Sequence, residues 1–76
     1  MNKARRAAIQ KVIDALTDLQ ATVELLRDEE EEARDNLPES LQGSERYEAM
    51  DEAYSNLELA ISNIEEVVGN LEEAMG

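Results

Sequence analysis

An all-α fold is what this chain predicts: an antiparallel helical hairpin that assembles with copies of itself into a four-helix or larger bundle. Three observations carry that reading. Apolar residues recur in alternating steps of three and four along two long stretches, a short Pro/Ser/Gly segment separates the stretches, and strand-type alternation occurs nowhere. At 76 residues the chain has room for one domain, spanning 1–76. A chain this short buries too small a fraction of its surface to be comfortably stable alone. It has no cysteine, so disulfides cannot compensate, and association between copies is the expected remedy.

The first helix is expected over about 3–36. Its apolar positions are Ile9, Val12, Leu16, Leu19, Val23, Leu26, Ala33 and Leu37, with Glu30 in the one interrupted slot. A carboxylate on that stripe costs free energy unless it is paired or close to water. The hinge follows at about 37–43. Pro38 disfavours helical geometry at Leu37, Gly43 can take a positive φ, and Ser44 can cap the next helix; Pro38–Gln42 leaves room for a helical turn of its own. A connection this short joins antiparallel neighbours. The second helix is expected over about 44–75, along Tyr47, Met50, Tyr54, Leu57, Ile61, Ile64, Val68, Leu71 and Met75. The core should combine Ile9, Val12, Leu16, Leu19, Val23 and Leu26 with Met50, Leu57, Ile61, Ile64, Val68 and Leu71.

Charge supplies the register. Antiparallel pairing that sets Arg34 beside Asp51 also sets Arg27 beside Glu58, both at positions flanking the apolar stripe where ion pairs select orientation. The opposite flank carries small residues: Ala8, Ala15 and Thr22 on the first helix, and Ala53, Ala60, Val67 and Ala74 on the second. Small side chains at every second turn allow close helix approach, so this flank is the expected contact between hairpins. Alanine is also simply a good helix former.

Composition excludes more than it affirms. Nineteen acidic and seven basic side chains give a formal charge of −12, and there is no histidine. With neither His nor Cys there is no imidazole base, no thiolate nucleophile and no structural zinc site. Two tyrosines are the only aromatic residues, too few to stack on nucleic-acid bases, and the negative charge repels phosphates. The Glu-x-x-His pairs of di-iron bundles and the Asp/Asn-rich loops of calcium sites are missing. No metal, cofactor or enzymatic activity is expected. No apolar run is long enough to cross a membrane, and the basic segment Met1–Lys11 leads into no apolar signal core. The expectation is a cytoplasmic protein that binds neither membrane nor nucleic acid directly.

The charge layout runs against the helix dipole. The first helix begins with Lys3, Arg5, Arg6 and Lys11 and ends in Asp28–Glu32 and Asp35, the reverse of the favoured placement. In a hairpin the basic start is expected beside Glu65, Glu66, Glu72 and Glu73, which would neutralise it. No such relief exists at the other end, where residues 28–52 hold eleven acids against Arg34 and Arg46. That field suits a basic partner, and it equally suits a solvated face. The hinge gathers Asn36, Ser40, Gln42 and Ser44, which both donate and accept hydrogen bonds, next to Arg46 and Tyr47. With Arg27 and Arg34 this set could hold a nucleotide-like ligand between subunits; the same residues also suffice for two helix ends and a turn.

Asp35-Asn36-Leu37-Pro38-Glu39-Ser40-Leu41-Gln42, followed by Ser44-Glu45-Arg46, resembles a group of small acidic two-helix proteins encoded by phages and prophages. The resemblance covers nearly the whole chain, and its specificity lies in the hinge. It implies a phage accessory protein acting in the host cytoplasm, many of which counter host defence. Three functions follow as expectations: sequestration of a nucleotide-like immune signal in an oligomeric polar pocket, inhibition of a basic host protein by an acidic phosphate-like surface, or a structural role in an assembly.

Overall fold

The computed structural model describes all residues from Met1 to Gly76 and contains two long helices, α1 (Lys3–Asp35) and α2 (Glu45–Met75), packed against each other with no strand. A short 3-10 turn, Glu39–Leu41, sits between them. Each boundary has a local cause. Asn2 caps α1, its side-chain oxygen accepting from the Arg5 N–H at 2.8 Å. Asn36 ends α1 with its own N–H directed to the carbonyls of Arg34 and Glu32. Gly43 takes φ +81°, a conformation that strains any residue carrying a Cβ. Ser44 then caps α2 by accepting from the Tyr47 N–H at 3.3 Å.

The antiparallel register is the one the charges specify. Arg27 meets Glu58 at 2.7 Å and Arg34 meets Asp51 at 2.6 Å. One heptad further, Gln20 donates to Glu65 at 3.2 Å. In this register Met75 lies opposite Gln10, so the first two turns of α1 extend beyond the end of α2.

The rotation of α1 differs from expectation. Ile13 and Ile61 are the only buried residues, each 6% exposed. The α1 side of the seam follows Ile9, Ile13, Leu16, Gln20, Val23, Arg27, Glu30, Arg34 and Leu37, all buried or half-buried. Val12, Leu19 and Leu26, expected in the core, are 48%, 59% and 48% exposed, and Ala33 in the same column is exposed too. The physical reason is the row Gln20, Arg27 and Arg34. Their hydrogen bonds to α2 draw that flank of α1 inward and turn the next column out. On α2 the expected stripe holds: Met50, Leu57, Ile64, Val68 and Leu71 are half-buried around Ile61. Glu30 is half-buried, and no side-chain polar atom in the chain is buried without a partner.

The result is a rod of 59 × 15 × 12 Å with a radius of gyration of 17.3 Å. A compact chain of this length would have a radius near ~11 Å. A two-helix rod has a seam but almost no interior.

Candidate functional site at the hinge

The hinge end is built from the last three turns of α1, the 3-10 turn and the first turns of α2. Arg27 and Arg34 both belong to it, and both are engaged. Arg27 bridges Glu58 and Asp28, the latter at 3.1 Å. Hydrogen bonding to Glu58 first, then Asp28, raises its pKa above the usual arginine value. Arg34 bridges Asp51 and Asp35 (3.1 Å to the latter), and its guanidinium carbon lies 4.9 Å from the centroid of the Tyr54 ring. Its pKa is raised chiefly by the hydrogen bond to Asp35, then by Asp51. Each arginine thus uses its fork on two carboxylates, the geometry that guanidinium favours. Tyr54 was read from the sequence as a stripe residue only; its stacking under Arg34 is a contact that the one-dimensional pattern does not display.

Most of the polar hinge is spent on the turn itself. Gln42 donates its side-chain amide to the Leu37 carbonyl at 3.0 Å. The Ser44 hydroxyl donates to the Leu41 carbonyl while accepting from Tyr47. Asn36 contributes its backbone to the end of α1. Tyr47 is half-buried in the seam. The side chains of Asn36, Ser40 and Arg46 differ: all three are exposed, and none makes a hydrogen bond or ion pair. Along the outer side of α1, Asp28, Glu31, Glu32, Asp35 and Asn36 line an open depression of about 320 Å³ with no apolar wall. No group of three or more acidic side chains is arranged to hold a metal ion.

The opposite end corrects a second expectation. Lys3, Arg5, Arg6 and Lys11 form no ion pair with Glu65, Glu66, Glu72 or Glu73. Arg6 instead donates to the backbone carbonyl of Met75 at 3.1 Å. The reason is the offset of the helices, which carries the start of α1 past the end of α2. The acids there, Glu66, Glu72 and Glu73, line a second open depression of about 600 Å³ with Gly69 and Asn70. Of the small-residue flank, Ala8, Ala15, Thr22 and Val67 are exposed, whereas Ala53 and Ala60 are half-buried beside the seam.

Neither helix is long and apolar enough to cross a membrane. Comparison with family models, with curated proteins and with solved structures finds no match for this chain.

Proposed function

We propose that the chain is a non-enzymatic binding protein whose acidic hinge end engages a basic surface of a partner protein. The observation that supports it most is the disposition of the hinge charges. The two arginines that could have held a phosphate are already paired with carboxylates, while Glu31, Glu32 and Glu39 are left without a basic partner. A surface with that surplus attracts cationic side chains and repels anionic ligands. The resemblance to phage-encoded proteins makes a protein of the infected host the natural target, including one whose basic face ordinarily holds nucleic acid.

Sequestration of a nucleotide-like ligand is the second reading. It is favoured by Asn36, Ser40 and Arg46, exposed hinge side chains that the turn leaves free. A phosphate there would meet a charge-assisted donor in the first turn of α2.

Affinity capture from host lysate, with the native chain and with a Glu31→Gln/Glu32→Gln/Glu39→Gln variant, separates the two. Charge-driven protein binding should elute steeply with salt and should fall severalfold in the variant, with basic proteins in the eluate. Equal capture by both chains would remove the acidic-surface reading. A nucleotide in the eluate that is lost in Arg46→Ala would replace it with the second.

A further inference from the structure

We propose that the chain forms a twofold homodimer in which α1 packs antiparallel on α1 of a second copy through Val12, Leu19 and Leu26. This goes beyond the proposed function and does not depend on it.

The surface area asks for a partner of definite size. The folded chain exposes 5498 Å² at a mass of 8.5 kDa. A compact monomer of that mass exposes about 4,650 Å², so the excess is roughly 850 Å². A standard protein interface buries about 800 Å² on each partner. Burying one interface of that size would bring the exposed area of each rod down to that of a compact chain.

Its location follows from the rotation of α1. Val12, Leu19 and Leu26 occupy every seventh position, are about half exposed, and have small neighbours in Ala8, Ala15 and Thr22. This is a second heptad seam beside the one that α2 occupies. Leu59, at 60% exposure, lies on the outer side of α2 and belongs to neither seam.

Charge chooses the orientation. Two hairpins stacked face to face with their hinges at the same end would place α1 on α2 of the second copy. They would also bring together two hinge regions, each with eleven acids and two bases over residues 28–52. Hinges at opposite ends place α1 on α1 instead. Centred on Leu19, that contact sets Val12 against Leu26 of the second copy and Leu19 against its own equivalent. The same seven-residue column continues to Arg5 at one end and Ala33 at the other. Arg5, which has no ion pair within the hairpin, then lies opposite Ala33 of the second copy, within reach of Glu29 and Glu32. The overhanging basic start of α1 is covered by the acidic end of its mate.

The chain has no cysteine, so single cysteines report the geometry directly. Native mass spectrometry of the full chain should show two copies. Under mild oxidation Leu19→Cys should cross-link to a covalent dimer nearly completely, because the two thiols face each other across the twofold axis. Leu59→Cys, equally exposed, should stay largely uncross-linked. Arg5→Glu should weaken the dimer roughly three- to tenfold by facing Glu29 and Glu32 with a like charge. A single-chain mass, an assembly of another size, or a dimer in which Leu19→Cys cross-links no better than Leu59→Cys would overturn the proposal.

Discussion

The two flanks of the helix–helix seam are built from different chemistry. One is closed by polar groups: Gln20 to Glu65, Arg27 to Glu58, and Arg34 to Asp51 with Tyr54 beneath it. The other is bare and apolar, with Val12, Leu19 and Leu26 open to water. Polar pairs are directional and tolerate partial hydration, so they suit the flank that fixes how α1 and α2 slide against each other. Apolar side chains gain nothing from a neighbour that stays in water, so their column is useful only where something covers it. The difference gives the closed flank the setting of the register, and it leaves the open flank as the surface on which the proposed dimer would form.

The largest expected effect separates the buried seam from the outer surface. Ile13→Ala and Ile61→Ala remove side chains at the two buried positions and should each cost about 2–4 kcal/mol. Leu59→Ala removes a side chain of similar size from the outer face and should stay within about 0.5 kcal/mol. Denaturant midpoints at one fixed protein concentration give the comparison, since association would shift them otherwise. Equal losses at Ile61 and Leu59 would mean that the rod is covered on all sides.

The heptad pattern made the fold readable because two amphipathic helices joined by a Pro/Gly hinge have few ways to pack. It made the register readable because the acids of α2 recur every seven residues at Asp51, Glu58, Glu65 and Glu72, and the short hinge selects among those settings the one that pairs Arg34 with Asp51 and Arg27 with Glu58. It failed on the rotation of α1. Ile9, Leu16 and Val23 form a column with apolar residues on one side at Val12, Leu19 and Leu26, and a mixed column on the other at Ile13, Gln20, Arg27 and Arg34. Hydrophobicity alone favours the first as the seam; the long polar side chains, which bury their stems and pair their heads, decide for the second. Ile13 was therefore missed. At the candidate site, residue types identified the hinge but not how each side chain is used. Whether Gln42 and Ser44 serve a ligand or the turn depends on backbone carbonyls that only the folded hinge brings within reach.

A smaller effect tests whether the closed flank or the hinge holds the hairpin together. Ser44→Ala removes the cap of α2 and should cost about 1 kcal/mol. Gly43→Ala forces a Cβ into φ +81° and should cost about 1–2 kcal/mol, although no neighbouring atom obstructs it. Thermal melts of both variants should remain cooperative. A third variant, Arg34→Ala, loses the Asp51 pair and the ring contact and should lower Tm by about 2–5 °C, less as salt is added. Exchanging the charges, Arg34→Asp with Asp51→Arg, should recover part of that loss. If the exchange recovers nothing, the pair is incidental and the hinge alone sets the register.

The smallest effect asks whether the closed flank excludes water. Tyr54 lies beneath Arg34, and its phenol pKa is raised above the ordinary value of 10.0, first by burial and then by the nearby Glu58 and Glu31 carboxylates, with Arg27 opposing. A raised pKa on an acid means that the folded chain keeps a proton which the unfolded chain has already released. The stabilisation is therefore fully present below the phenol's unfolded pKa and is lost as pH rises through the folded one. Stability should accordingly decline at alkaline pH beyond about 10, and the decline should be shallower in Tyr54→Phe. In Tyr47→Phe the remaining tyrosine can be titrated alone by its ultraviolet absorbance. Its midpoint should lie above that of the same chain in denaturant. Coincident midpoints would mean that water reaches the ring as freely as it reaches Leu19 across the seam, and the contrast between a closed flank and an open one would fail at this residue.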